Sequence, residues 1–169
     1  MRTTREPLCF IITEPEMMKF FLKTWRTLPL WVHLLASRIV RPRFRMAVAA
    51  MIFDEQGRIL LFKHTYRKIE WGIPAGGLEH REQPKQAIVR EFFEETGMQI
   101  EVQKLLLAES AQEDHHVSLI YLCKIASGTF KESLEISAMK YFPVNEMPDM
   151  MLSTEKELIK WVVKEIKEK

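Results

Sequence analysis

Cysteine is scarce in this 169-residue chain: Cys9 and Cys123 are its only two, and they stand far apart. That pattern excludes a disulfide scaffold or a cysteine metal knuckle, and makes a reducing cytoplasm the expected setting. Surplus charge is lacking too, with 25 Lys and Arg against 23 Asp and Glu. Nothing in that balance calls for nucleic acid as a partner. No apolar run is long enough to span a membrane. Leu8–Ile12 is broken by Thr13-Glu14-Pro15, so no secretory signal is expected there. Repeats and low-complexity tracts are absent. The remainder is ordinary globular composition, in a length that suits one cored domain with room for an extension.

The chain is organised around Trp71 to Met98, WGIPAGGLEHREQPKQAIVREFFEETGM. Its second half predicts one helix. Pro84 suits the first turn, where its missing N–H is not needed, and Gly97 suits the left-handed residue that closes a helix. On a helical projection Ile88, Val89, Phe92 and Phe93 share one arc, while Ala87, Glu91, Glu94 and Glu95 share the opposite one. Glu91 has Glu94 at i+3 and Glu95 at i+4, so three like charges crowd one strip. A solvated acidic face is the plain interpretation. It leaves unexplained the preceding Pro74-Ala75-Gly76-Gly77, whose paired glycines suit close approach of a ligand. Arg90 can neutralise part of the ladder, and a hard cation such as Mg²⁺ more of it.

Gly76, Glu82 after five residues, then after seven more Arg90-Glu91-Phe92, Glu94-Glu95 and Gly97-Met98 resemble the complete signature of the Nudix hydrolase family. The signature covers about a seventh of the chain. The resemblance implies an α/β fold, a Nudix-type α/β/α sandwich with a mixed sheet between the box helix and the C-terminal helix. It implies hydrolysis of a phosphoanhydride with Mg²⁺ or Mn²⁺ as cofactor. It assigns metal binding to Glu94, Glu95 and the Gly76 carbonyl, with Glu91 as ligand or base. Arg90 would orient a glutamate, and Gly77 and Glu82 would support the loop. Family members often add one acidic residue from a loop beyond the box, and Glu132 and Glu135 are the candidates.

The flanks divide the chain into a helical extension over residues 1–40 and the hydrolase domain over residues 41–169. Residues 1–14 read as a tail or one short strand. Glu16–Trp25 and Leu30–Val40 read as two apolar helices, followed by Arg41, Arg43 and Arg45. They suit packing on the domain or a homodimer contact, with a peripheral membrane surface the weaker alternative. His33 reads as a packed or boundary histidine. Phe44–Phe53 and Arg58–His64 predict a hairpin around Asp54-Glu55-Gln56-Gly57. Arg45, Lys63, Arg67 and His116 are the candidate substrate contacts, placed beside the expected phosphate site. His115 and His116 would point to opposite faces of a strand, which disfavours shared metal ligation. Thr154 and Glu157 predict a capping box opening the last helix.

Substrate marks are missing. Ala111–His116 offers neither the proline associated with ADP-ribose nor the tyrosine associated with diadenosine polyphosphates, and the coenzyme A pattern before the box is absent. The expected partner is a small nucleotide or organic pyrophosphate, and the expected reaction is cleavage of a nucleoside diphosphate linked to another group. A non-catalytic Nudix-fold module, and a membrane- or partner-associated protein acting through residues 15–45, are the alternatives.

Overall fold

A computed structural model describes residues 15–40, 44–111 and 116–167. The expected tail or strand over residues 1–14, Arg41, Arg43 and His115 lie outside them. The chain divides into a unit ending at Pro42 and a unit beginning at Arg43.

In the first unit, helix α1 (Pro15–Thr27) and helix α2 (Leu30–Val40) are joined at Leu28-Pro29. Pro29 opens α2, its carbonyl accepting the Val32 N–H at 3.0 Å. His33 bonds the Leu28 carbonyl through Nε2 at 3.2 Å and meets the Trp25 ring edge-on. It is a packed histidine at a helix–helix corner. Among the described residues no helix is long and apolar enough to cross a membrane.

The second unit is a layered α/β structure. Strand β1 (Arg45–Ile52) lies between β4 (Ala75–Gly77) and β6 (His116–Ser127), and β5 (Gln99–Ala111) pairs with β6. The β1–β6 pair is parallel and the others antiparallel, which makes this sheet mixed. A second, antiparallel sheet has the order β3 (Trp71–Gly72), β2 (Ile59–His64), β7 (Ile136–Phe142).

The expected hairpin is thereby corrected. Asp54 does shape a tight turn, accepting the Gln56 and Arg58 N–H groups, but β1 and β2 meet only through one bridge, Phe53 to Ile59. Both edges of β1 are taken by β4 and β6, so β2 must start another sheet.

Helix α3 (Pro84–Thr96) covers one side of this double layer and helix α4 (Ser153–Lys167) the other. Alternate residues of each central strand therefore serve opposite cores. Val48, Ala50, Ile52, Leu60 and Phe62 pack with Ile88 and Phe92 of α3. Ala49, Met51, Ile59 and Leu61 pack with Ile159 and Val162 of α4. A strand covered on both faces reads as a continuous apolar run, as MAVAAMI does. Helix α4 opens at Ser153, so Thr154 lies inside its first turn and not at its cap.

Phe92 is fully buried, 5.3 Å from the Phe62 ring centroid. Truncating Phe92 to Ala should cost about 3–5 kcal/mol of stability in urea unfolding. A loss under about 1 kcal/mol would mean that α3 does not anchor this core.

Candidate active site

Helix α3 starts with Pro84 in its first turn and ends at Gly97, whose φ is 72° and whose N–H donates to the Phe93 carbonyl at 2.7 Å. Both limits agree with the sequence. Its rotation does not. Ala87, Ile88, Phe92, Glu95 and Thr96 are the buried residues, whereas Phe93 is half exposed. On a helical wheel at roughly 100° per residue, the centre of that buried arc falls between Glu95 and Ile88. Glu95 and, less deeply, Glu91 thus turn inward, while Glu94 stays exposed.

Gly76 explains how the helix comes so close. A Cβ built there would overlap the Glu91 side chain, whereas one built on Gly77 would meet nothing. Neither glycine has a positive φ, so Gly76 is needed for space and not for conformation. Glu91 passes under the strand, and its Oε1 accepts the Gly77 N–H at 3.1 Å.

Arg90 gathers the surrounding groups. Its Nε and Nη2 donate to the two oxygens of Glu82 at 2.8 and 2.9 Å, a bidentate pair. Nη2 also donates to the Gly77 carbonyl at 3.0 Å, and Nη1 reaches Glu94 at 3.0 Å and Glu91 at 3.1 Å. Glu82 accepts the Glu79 N–H as well, which ties the loop to the helix. The hydrogen bonds from Arg90 hold the Glu82 carboxyl below its usual range, and Glu82 holds the guanidinium firmly charged. Arg81, at φ 64°, takes the left-handed turn just before Glu82.

Glu95 has no such partner. It is only 8 % exposed, and its Oε2 makes no hydrogen bond. Burial, then Glu91 and Glu135, push its pKa up from 4.5 to about 7, with Arg67 opposing. Glu135 comes from the loop before β7. That loop is pinned at both ends, by the Lys131 N–H on the Thr96 carbonyl and the Thr65 N–H on the Glu135 carbonyl, both at 2.9 Å. Glu132 does not figure among the charges acting on Glu95.

Of the other candidates, Arg67 lies in the β2–β3 loop, stacked over the Tyr66 ring at 5.5 Å, where its charge acts on Glu95. Lys63 is engaged with Glu70 at 3.2 Å on the surface. Arg45 and His116 are direct register partners at the starts of β1 and β6, so the sheet brings those two together.

Two further polar residues, buried His64 and half-buried Glu155, lie beside the site. His64, 2 % exposed, has neither ring nitrogen bonded, and burial followed by Arg67 brings its pKa down to about 4. Glu155 of α4 is pushed up to about 6 by burial, against the Ile73 N–H that it accepts. The two flank Gly72, where a Cβ would lie 3.4 Å from a Glu155 oxygen and 3.7 Å from His64 Nε2. The alternation in LLFKH offered a signal for His64. Glu155 reads as a routine acidic residue of a first helical turn.

Among the described residues no three acidic, histidine or cysteine side chains already converge in a metal-holding group, since Glu91 and Glu94 are turned toward Arg90. The donor set nevertheless fits a hard divalent cation. It offers a buried oxygen without a partner, carboxylates around it, and an uncompensated charge.

The profile of the NUDIX domain matches residues 43–162. The chain belongs to the Nudix hydrolase family. A MutT-like protein of Streptomyces ambofaciens is 30% identical over 110 residues, 65% of this chain and 71% of that one. An ADP-ribose pyrophosphatase of Methanocaldococcus jannaschii is 27% identical over 111 residues, 62% of this chain and 66% of its own length. The crystal structure of a UDP-X diphosphatase superposes with a TM-score of 0.65 at 22% identity, covering 89% of this chain and 81% of that one. At that identity the likeness establishes the Nudix fold.

The two glycines should respond differently to an added methyl. Gly76→Ala should destabilise by about 1–3 kcal/mol in urea unfolding, through overlap with Glu91. Gly77→Ala should stay within about 0.5 kcal/mol. Equal losses would remove the special role of Gly76.

The raised pKa of Glu95 has a signed consequence. Between 4.5 and about 7 the folded protein holds a proton that the unfolded chain has released. The contribution of Glu95 to the stability of the metal-free protein should therefore be fullest below 4.5 and be lost as pH rises through about 7. Glu95→Gln should flatten that slope and raise the neutral-pH melting temperature by about a few degrees. An unchanged slope in the variant would show that Glu95 is not the group responsible.

Proposed function

We propose that this Nudix protein is a metal-dependent pyrophosphohydrolase that cleaves a nucleoside diphosphate linked to another group. The observation that carries the reading is Glu95, buried with an unpartnered oxygen and pressed by Glu91, Glu135 and Glu94. A site that concentrates oxygen donors without enough positive charge suits Mg²⁺ or Mn²⁺. Glu91, Glu94, Glu95 and the Gly76 carbonyl would hold the ion. When bound, it would neutralise phosphate charge and lower the pKa of a coordinated water.

The chain's own residues supply the rest. Arg90 fixes the loop carrying Gly77 and Glu82 against the helix, so that the carboxylates keep their positions. Arg67 brings positive charge to the same carboxylates from the opposite loop and suits a phosphate oxygen. Glu91 or Glu135 would take the proton of the attacking water. The names of two similar proteins, an ADP-ribose pyrophosphatase and a UDP-X diphosphatase, support a substrate in which a nucleoside diphosphate carries a further group.

Phosphate release after phosphatase coupling, over a panel of nucleotides and nucleotide conjugates with Mg²⁺, Mn²⁺ or chelator, tests the proposal. Turnover should require metal and fall by about a hundredfold or more in Glu94→Gln and Glu95→Gln, with both variants still folded by circular dichroism. Full activity in both variants, or turnover in chelator, would overturn it.

A further inference from the structure

A cleft of about 870 Å³ opens between the first turns of α4 and strands β5 and β6. Its position follows from register. Gly77 pairs with Ala47, Ala47 with Ser118, and Ser118 with Glu109, forming one row across four strands. Ala49 and Ile120, two residues along, belong to the core under α4, so this row presents its side chains on the α4 side. With strands about 4.8 Å apart, Ser118 lies about 10 Å from Gly77 and Glu109 about 14 Å from it. The cleft therefore begins within a diphosphate and a pentose of the glycine strand that Glu91 grips. The small side chain of Ala47 leaves the floor between them low.

The lining has a definite chemistry. Trp161, 46% exposed, offers a broad ring face, and Leu107 and Leu158 add apolar wall. Ser118 and Thr154 add hydroxyls. Every ionisable side chain of the lining among the described residues is acidic: Glu109, Glu155 and Glu157. Carboxylates accept hydrogen bonds and repel anions. This wall favours a flat, uncharged group rich in N–H and O–H donors, and disfavours a second set of phosphates. The sequence assigned Thr154 and Glu157 to capping, and the structure sets both along the cleft.

We infer that this cleft receives the nucleoside of the substrate, its base stacked on Trp161 and its donors met by Glu109 and Glu157, and that it rejects substrates with a polyphosphorylated group in that place. The inference rests on the hydrolase reading above and names the half of the substrate that lies away from the catalytic strip.

The test compares KM and kcat for nucleoside diphosphate sugars, a diphosphorylated inositol phosphate and a 5′-triphosphate RNA, in wild type, Trp161→Ala, Trp161→Phe and Glu157→Lys. Wild type should prefer the nucleoside diphosphate sugars. Trp161→Ala should raise their KM by about tenfold or more with a smaller change in kcat, and Trp161→Phe should restore it, because any flat ring can stack. Glu157→Lys should shift preference toward the polyanions. A KM within twofold of wild type in both Trp161→Ala and Glu157→Lys, or a wild-type preference for the polyanions, overturns the cleft assignment while the hydrolase reading stands.

A second measurement works without turnover. Titrating nucleoside monophosphates in chelator should quench wild-type tryptophan fluorescence, and the quench should vanish in Trp161→Phe. That result supports the cleft even where no substrate is cleaved. No quench in wild type overturns the cleft independently.

Discussion

Like charge crowded onto one helix face is the constraint around which the hydrolase domain is built. Three glutamates within five positions would unsettle a bare helix. Here one guanidinium takes most of the burden by bonding Glu82, Glu94 and the Gly77 carbonyl together. The arrangement is asymmetric. Arg90 satisfies the outer carboxylates and leaves the innermost, Glu95, buried and unmatched. The fold thus holds its strain at one atom, where a cation would relieve it.

The sheets serve that atom. Because β1 has both edges occupied, β2 is forced into a second sheet, whose β2–β3 loop carries Arg67. Glu91 passes Gly76 of the first sheet, and the charge of Arg67 acts on Glu95 from the second. The helices on opposite faces then divide the labour. Helix α3 brings the carboxylates, while α4 brings Trp161 and Glu155 to the open side of the mixed sheet.

Much of this was legible in the residues. Pro84, Gly97 and the glycine pair marked the helix, its limits and the loop against it, because each carries a local conformational or steric meaning. The rotation of α3 was not legible. Phe93 looked like core, and Glu95 looked like surface, because the apolar pattern cannot show that a glycine opening draws the acidic edge inward. The meeting of His64 and Glu155 was hidden for a related reason. It is set by contacts between segments some ninety residues apart in the chain, on either side of Gly72. Glu135 could be separated from Glu132 only once the Thr65 and Thr96 anchors of its loop were seen. The β1–β2 hairpin failed because pairing partners are a property of the whole sheet.

Cys123 has a quieter consequence. Its thiol is buried on β6 in the core beneath α3, and burial pushes its pKa up to about 12. In the native state it is shielded both from contact with reagents and from ionising to the reactive thiolate. Its modification must wait for the sheet to open. The rate at which a thiol reagent labels this position is thus a built-in clock for the opening of the layer between β6 and α3. It reports on the very packing that keeps Glu95 out of water.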